Sequence, residues 1–238
     1  MIVECRRCPR LVAWREEAAR QPPVRFAGEH YWARPVPGFG DPAARVLIVG
    51  LAPAAHGGNR TGRVFTGDRS GDFLFGALHR AGFANQPTSV SAADGTRLTD
   101  LYVAAVNRCA PPANQPTTAE RDSCLPYLSA EIAALPELRV VVCLGAYAWD
   151  GALRALAANG HAARPRPRFG HQAEAEIGPI VLLASFHPSQ QNTFTGRLTP
   201  EMLDDVLARA RQLLQNGRRR GLTGRSSASR PSSMRCRP

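Results

Sequence analysis

Four short apolar runs, separated by segments with helical periodicity, constrain the fold of this chain more than any other feature. Each run is rich in Val, Leu or Ile and has a length typical of a strand buried on both faces. The runs are Arg45–Val49, Leu101–Val106, Arg139–Leu144 and Ile180–Ala184. Because buried strands that alternate with helices are typical of parallel sheets, we predict an α/β fold with helices on both faces of a mostly parallel sheet.

The helices between these strands also leave sequence signals. Thr117 and Glu120 form a capping-box pattern at the start of one helix, and Pro126 favours an interruption within it. Helices are predicted up to residue 20, over Asp72–Ala81, from Thr117 toward Leu135, over Tyr147–Asn159 and from Pro200 to about Gln215.

The charge of the chain is unevenly distributed. The 238 residues carry a net charge of +11, and all 30 basic residues are arginine. Seven arginines and no acidic residue lie in residues 217–238, which leaves residues 1–216 with a net charge of +4. We predict one domain over residues 1–216, which includes an N-terminal cysteine pair, and an arginine-rich, disordered tail over residues 217–238. The tail suits either contact with a polyanion or a solvated end.

The sequence argues against a membrane protein. No apolar run approaches the roughly 20 residues that cross a bilayer, and the N-terminal residues lack the apolar segment of a signal peptide. We therefore expect a cytosolic protein without membrane contact.

The cysteines indicate a metal site rather than disulfides, which are rare in the cytosol. Cys5 and Cys8 are separated by two residues, whereas Cys109 and Cys124 are separated by 14. Four thiolates can hold either zinc or an iron–sulfur cluster. The wide second spacing departs from a zinc ribbon and favours the cluster, although unrelated free thiols remain the alternative. Cys143 lies inside an apolar run and is expected to be a buried core thiol.

Three of the predicted strands end in polar loops. Gly50–Asp68 follows the first strand, Asn107 the second and His187 the fourth. Ligands of open α/β sheets bind at the carboxyl ends of the strands, so we expect these loops to converge on a site. An asparagine amide there can read the edge of a base, since it offers donors and an acceptor. Ser189 and the amides after it suit a phosphate at a helix start.

The motifs GLAPA, GRVFTGD, NRCAPP with its cysteine spacing, HPSQQN and TGRLTP occur in an order that resembles the uracil-DNA glycosylase superfamily. The chain is most similar to family 5, the type B enzymes, from Cys5 to about Leu214. The resemblance implies a three-layer α/β/α fold with a central parallel four-stranded sheet. It also implies a monofunctional enzyme of base excision repair that flips uracil, and often other deaminated bases such as hypoxanthine, out of DNA. The enzyme then hydrolyses the N-glycosidic bond.

The resemblance further assigns roles to individual residues of the motifs. Phe65 would stack on the flipped base, Asn107 would contact its polar edge, and His187 would face the departing oxygen as a neutral donor. The HPS segment with Ser189 would wedge the duplex and hold a phosphate. Further substrate-binding positions are Gly50, Ala52 and Pro53, and the ligands of a structural 4Fe–4S cluster are Cys5, Cys8, Cys109 and Cys124.

Ala52 marks a departure that affects catalysis. Better-known members of the superfamily place an acid or an asparagine at this position, whereas alanine can neither orient a water molecule nor offset charge. Asp68 is the only acid in the loop and is our candidate for activating water, with Asn59 and His56 as alternatives. Asp68 could instead cap the helix that follows it.

Two other functions are compatible with the sequence. Because of Ala52, the chain could be a non-catalytic iron–sulfur protein that binds damaged DNA. A nucleotide hydrolase ranks low, because no GxxxxGK[ST] or GxGxxG motif is present. We expect uracil-containing DNA as the partner, a monomeric state and a nucleoid-associated location.

Overall fold

A computed structural model describes residues 2–223 and places the four predicted strands side by side in one sheet. The strands are β1 (Phe39–Gly40), β2 (Val46–Gly50), β3 (Leu101–Ala105), β4 (Val140–Leu144), β5 (Glu174–Ile177) and β6 (Ile180–Ser185). They lie in the order β1-β3-β2-β4-β6-β5. The inner strands β3, β2, β4 and β6 are parallel to one another, as predicted.

The prediction of four strands is wrong in number, because an antiparallel strand is added at each edge. The strand β1 has only two residues and lies in a proline- and glycine-rich segment. The strand β5 is half-exposed and rich in glutamate. Neither edge strand carries the continuous apolar run that marks a strand buried on both faces.

Seven α-helices surround the sheet within the described residues. They are α1 (Pro9–Arg20), α2 (Gly58–Thr61), α3 (Arg69–Arg80), α4 (Thr118–Ala133), α5 (Ala146–Ala158), α6 (Gln190–Phe194) and α7 (Pro200–Thr223). The short helices α2 and α6 lie inside the polar loops and were not predicted. The capping box is confirmed, since Thr117 Oγ1 accepts from the Glu120 N–H at 3.2 Å and Glu120 Oε2 accepts from the Thr117 N–H at 2.7 Å.

The interruption expected at Pro126 does not occur, because α4 continues through it. A proline inside a helix costs about 3 kcal/mol. Leu128 and Ile132, which follow it on α4, are buried in the apolar layer beneath the sheet, and we attribute the continuity of the helix to this burial. At the end of the chain, α7 extends eight residues beyond its predicted end. The rest of the predicted tail lies outside the described residues.

The core forms two apolar layers, one on each face of the sheet. Val46 and Ile48 of β2 point into the layer under α3 and α7, whereas Leu47 and Val49 point into the layer under α4 and α5. All five residues of β2 are therefore buried, which explains the continuous apolar run. The three-layer α/β/α prediction is confirmed. None of the helices between residues 2 and 223 combines the length and apolar character that crossing a membrane requires.

Candidate active site at the sheet edge

The polar loops that follow β2 and β6 line one cavity of about 550 Å³ beside the carboxyl end of the parallel strands. We call it the active-site cavity. It brings together five of the residues singled out from the sequence: Ala52, Phe65, Asp68, His187 and Ser189. The loop after β3 reaches the same cavity through Ala113 and Asn114. The predicted convergence of three loops is therefore present.

Phe65 is held in an uncommon backbone conformation over the end of β2. Its φ is +50°, and its side chain is largely buried. A Cβ atom added to Gly50 would lie 2.6 Å from Phe65 Cζ, so any larger residue there would displace the ring. The ring centroid of Phe65 lies 6.1 Å from that of His187. The absence of a side chain at Gly50 thus leaves the space that the Phe65 ring occupies.

A buried ion pair fixes the loop around Phe65. Arg63 Nη2 donates to both carboxylate oxygens of Asp94 at 2.8 Å, and Arg63 Nε donates to Thr66 Oγ1 at 3.0 Å. Burial disfavours the Asp94 carboxylate, but hydrogen bonds from Thr96 and Arg63 outweigh it and lower the pKa of Asp94. Sequence reasoning missed Asp94, because no motif marks it and it lies 31 positions from its partner.

Asn107 follows β3 and is fully buried. Its backbone N–H donates to the carbonyl of Leu51 at 2.9 Å, which ties it to the wall of the active-site cavity. The hydroxyl of Tyr147 donates to Asn107 Oδ1 at 2.6 Å. Within residues 2–215, Asn107 Nδ2 is buried without a hydrogen-bond partner. Tyr147 was not identified from the sequence, where it is one tyrosine at the start of a predicted helix.

His187 lies two residues after the end of β6 and is half-buried beside Phe65. Its burial lowers the pKa of the imidazole to about 4, so the ring is neutral at physiological pH. Asn192 Nδ2 donates to the His187 carbonyl at 2.8 Å, and Ser189 Oγ accepts from the Asn192 N–H at 3.4 Å. Ser189 is therefore the N-cap of α6, and the HPSQQN segment is tied together by its own side chains.

Asp68 caps α3, as the alternative interpretation expected. Its Oδ1 accepts from the Gly71 N–H at 2.9 Å, while a Cβ added to Gly57 would lie 2.0 Å from Oδ2. Burial raises the pKa of the Asp68 carboxyl despite the hydrogen bonds from backbone N–H groups. The carboxylate also lines the active-site cavity with Ala52, so a role toward water stays a prediction.

The two alternatives to Asp68 are engaged in other contacts. Asn59 is buried, and its Nδ2 donates to the carbonyl of Arg15 at 3.0 Å, which ties the loop to α1. His56 Nδ1 shares a hydrogen bond with the Tyr31 hydroxyl at 3.0 Å. Burial and the nearby arginines lower the pKa of His56. Pro53 is buried beneath α2 and supports the loop.

A larger groove of about 1010 Å³ adjoins the cavity and shares Asp68 and Arg69 with it. We call it the arginine–phenylalanine groove. The guanidinium carbons of Arg25 and Arg60 lie 4.7 and 4.1 Å from the ring centroid of Phe26. Arg69 lies 5.3 Å from the ring of Phe194, which is 67% exposed. Cationic groups and aromatic faces alternate along this groove.

The four cysteines assigned to a cluster line one small cavity, which we call the cysteine corner: Cys5, Cys8, Cys109 and Cys124. It joins the segment before α1, the loop after β3 and the helix α4. Arg15 Nη1 donates to Cys109 Sγ at 2.9 Å, and the Arg108 N–H donates to Cys124 Sγ at 3.3 Å. Cys143, in contrast, is enclosed within β4, as predicted for a core thiol.

Two buried arginines lie beside the corner, but burial of the thiols outweighs them and raises the pKa values of Cys8, Cys109 and Cys124. Arg15 and Arg108 are nearly inaccessible to solvent, and within residues 2–215 the Nε atom of each lacks a hydrogen-bond partner. Burial is the main cause of the raised pKa of Cys124, about 12, which the hydrogen bond from the Arg108 N–H and the Arg108 charge only partly oppose. Within the described chain, no three His, Cys, Asp or Glu residues converge closely enough to hold a single metal ion. The four cysteines therefore surround a small cavity and do not converge on a site for a single metal ion.

Comparisons with known proteins cover most of the chain. The family model for the uracil DNA glycosylase superfamily matches residues 37–211. A type-5 uracil-DNA glycosylase of Mycobacterium tuberculosis is 56% identical over 215 residues, which is 90% of this chain and 79% of that protein. The type-5 enzyme of Thermus thermophilus is 51% identical over 213 residues, 89% of this chain and 94% of that protein. The family model thus spans the sheet and its loops, and it begins after the first cysteine pair.

Proposed function

This chain belongs to the uracil DNA glycosylase superfamily, and from this membership we infer that it removes uracil from DNA in base excision repair. The enzyme is a monofunctional hydrolase of the N-glycosidic bond and leaves an abasic site. The observation that carries this function is the cavity that unites Phe65 and His187 at the sheet edge, in a chain half identical to type-5 uracil-DNA glycosylases.

We propose that Phe65 provides the platform for the flipped base. A base inside a duplex cannot reach the cavity, so the nucleotide must leave the stack at a cost of a few kcal/mol. Stacking on an aromatic ring recovers about 1–3 kcal/mol per base. The close contact with Gly50 and the Arg63–Asp94 ion pair hold the Phe65 ring in place before the base arrives. No binding energy is therefore used to order the ring.

Cleavage of the glycosidic bond leaves positive charge on the sugar and negative charge on the base. Donors that are already oriented toward the departing oxygen stabilise this charge. We propose that His187 is one such donor, since a neutral imidazole with a pKa near 4 keeps a ring N–H at physiological pH. The unpartnered Nδ2 of Asn107 supplies a second donor, toward the polar edge of the base.

Asp68 is our candidate for orienting the attacking water. Ala52 contributes only a methyl group to the cavity wall, whereas the Asp68 carboxylate lies in the same cavity with one oxygen bound to α3. The backbone N–H groups of Ser70 and Gly71 donate to this carboxyl, and its position in the cavity wall would let it also accept from a water molecule.

We propose that the arginine–phenylalanine groove carries the DNA strand next to the flipped nucleotide. Arginines bind phosphates without reading sequence, and aromatic faces stack on unpaired bases. Ser189 and the amides near it would hold a phosphate at the other side of the cavity. We further propose that the protein acts on DNA as a monomer and that it associates with the nucleoid.

The cysteine corner fits a 4Fe–4S cluster, and we propose that Cys5, Cys8, Cys109 and Cys124 hold one. Two observations support the fit: all four cysteines line one small cavity, and two buried arginines bring unpartnered donors to its vicinity. A cluster bound by four thiolates is anionic and wider than a single ion, which agrees with the absence of a single-ion site among the described residues. Its chemical contribution would be structural, a covalent link between α1, α4 and the loop after β3.

Hypoxanthine is the second substrate that we propose. Like uracil, it presents a carbonyl oxygen next to a ring N–H on its pairing edge. Asn107 can meet this pair of groups on either base with the same two atoms, so the edge contact does not distinguish a deaminated pyrimidine from a deaminated purine.

The decisive experiment uses an oligonucleotide with a single uracil. After incubation with the protein, alkali should break the strand at that position, because an abasic site is alkali-labile and an intact nucleotide is not. The same strand with thymine is the control and should stay intact. An uncut uracil strand that still shifts in a gel would instead favour a non-catalytic DNA-binding protein, the alternative that Ala52 leaves open.

A further inference from the structure

We propose that Tyr147 is a positioning residue that sets the base specificity of the site by fixing the direction of the Asn107 amide. In this arrangement the site selects bases with a carbonyl at the pairing edge over bases with an amino group there. The proposal rests on the proposed function, and in particular on the contact between Asn107 and the base edge.

The geometry leaves the Asn107 amide one favourable orientation. The side chain is fully buried, so bulk water cannot satisfy either of its ends. The Tyr147 hydroxyl donates to Oδ1 at 2.6 Å, and this is the single hydrogen bond that the amide makes within residues 2–215. Nδ2 is thereby turned away from Tyr147 and is left without a partner.

Rotating the amide by half a turn would be unfavourable. Nδ2 would then face the tyrosine oxygen, and the phenolic proton would have to leave Oδ1, its one acceptor in the described part of the chain. Burial raises the pKa of Tyr147, so the hydroxyl keeps its proton. An unmade buried hydrogen bond costs about 1–3 kcal/mol, which is enough to favour the observed orientation.

Tyr147 is itself held by its position at the start of α5. Gly145, which precedes the helix, has a φ of +94° and donates its N–H to the Ser185 carbonyl at the end of β6 at 2.8 Å. The tyrosine ring packs against the apolar layer beneath the sheet. The donor that orients Asn107 therefore lies at the start of a helix that is tied to β6.

This orientation has a chemical consequence for base choice. The unpartnered Nδ2 would donate to the O4 carbonyl of uracil or the O6 carbonyl of hypoxanthine, and Oδ1 has a second lone pair for the neighbouring ring N–H. Cytosine and adenine carry an amino group at the same place. Two donors would then face each other, and a buried donor would stay unpaired. Tyr147 thus makes the site favour deaminated bases over their amino parents.

The test is a ratio of affinities for two ligands on one protein. We would use oligonucleotides with 2′-fluoro-2′-deoxyuridine or 2′-fluoro-2′-deoxycytidine at one position, because the fluorine destabilises the cationic sugar and slows cleavage. In Tyr147→Phe the amide can turn, so the preference for uracil over cytosine should fall by about tenfold. The matched control is Tyr102→Phe, since Tyr102 packs against the same apolar layer but makes none of the site's hydrogen bonds; it should keep the wild-type ratio.

Loss of folded protein does not imitate this result, because it lowers the measured binding of both ligands in one preparation and leaves their ratio unchanged. An unchanged ratio in Tyr147→Phe, with uracil still excised by the wild-type protein, would overturn the proposal alone. Wild-type protein that binds both ligands equally would overturn the reading of the base edge by Asn107. Failure of the wild-type protein to excise uracil would overturn the proposed function itself, so the three outcomes are distinct.

Discussion

The loop after β3 separates two regions that are ordered by different means. Asn107 adjoins the active-site cavity through its bond to Leu51, and two residues later Cys109 lines the cysteine corner. In the cavity region, side chains such as Arg63, Tyr147 and Asn192 order the site by direct hydrogen bonds. In the corner, four cysteines line one small cavity, where Arg15 and the Arg108 N–H donate to the sulfur atoms of Cys109 and Cys124. The first region is preorganised by the fold, whereas the second suits a bound group that completes it.

The largest effect on activity should follow from the change His187→Ala in the cavity region. Removing an oriented donor to a developing anion typically lowers kcat about 10²–10³-fold, and we expect this loss in single-turnover excision of uracil. The melting temperature should change little. The control is His79→Ala on the exposed side of α3, which should keep wild-type rates. Retained activity in His187→Ala would remove the histidine from the chemistry.

Asp68→Asn separates the two roles of this side chain. Asparagine can still accept the Gly71 N–H and cap α3, but it carries no charge toward a water molecule. We expect turnover to fall by about 10²-fold with unchanged affinity for uracil-containing DNA and unchanged melting. Asp68→Ala, in contrast, should also lose stability, since it loses the cap. Wild-type cleavage rates in Asp68→Asn would make Asp68 a helix cap and nothing more.

Gly50→Ala tests the preorganisation of Phe65. The added methyl group would lie 2.6 Å from Phe65 Cζ and should push the ring out of its position over β2. Losing the stacking of one base, worth about 1–3 kcal/mol, should weaken binding of uracil-containing DNA by roughly tenfold. Gly76→Ala is the matched control, because a Cβ at Gly76 would approach nothing but the end of the Arg80 side chain. Equal affinities in the two variants would contradict the role given to Gly50.

Cys109→Ser tests the other region and should affect stability more than chemistry. If the corner holds a 4Fe–4S cluster, the wild-type protein is brown, contains stoichiometric iron and loses colour in this variant. We expect the melting temperature to fall by roughly 10 °C, equivalent to about 3 kcal/mol, with a smaller loss in the excision rate of the remaining folded protein. Cys143→Ala is the control and should keep its iron. Colourless wild-type protein that carries zinc would refute the cluster.

The smallest effect is expected from pH. Burial holds the pKa of His187 near 4, below the value of about 6.5 of an unfolded chain. The folded protein thus binds fewer protons than the unfolded one between these values, so His187 costs stability as pH falls from about 6.5 to 4. Above pH 6.5 it has no effect. The excision rate should therefore show no midpoint near pH 6.5, and a midpoint there that disappears in His187→Asn would contradict a neutral donor.

Much of the cavity region was predictable, because its signals are local. Phe65 and His187 lie in the loops that follow buried strands, and the end of such a strand fixes where its loop emerges. Thr117 and Glu120 formed the predicted cap because both partners lie within one helical turn. The role of Asp68 as a helix cap was also predicted, as the alternative to a role in activating water. The four cysteines were expected to meet, and the structure places them around one space.

Other features needed contacts between distant residues. Asp94 lies in a polar connection without any motif, and it becomes important only where the chain returns to Arg63. Pro126 remained inside α4 despite its local preference. The edge strands β1 and β5 were missed because an edge strand needs a neighbour and not an apolar run. In each case the deciding interaction joins residues that are farther apart in the chain than the few residues over which a hydrophobic pattern repeats.

The sequence by itself determined the α/β class, the parallel inner strands, the approximate positions of the five longer helices and several of the residues that line the cavity. These follow from apolar periodicity and from capping groups, which act over a few residues. The tertiary structure alone decided that Gly50 makes room for Phe65 and that Tyr147 orients Asn107. These contacts depend on the strand order β1-β3-β2-β4-β6-β5. That order is set by packing of the two apolar layers, which joins residues that are far apart in the chain.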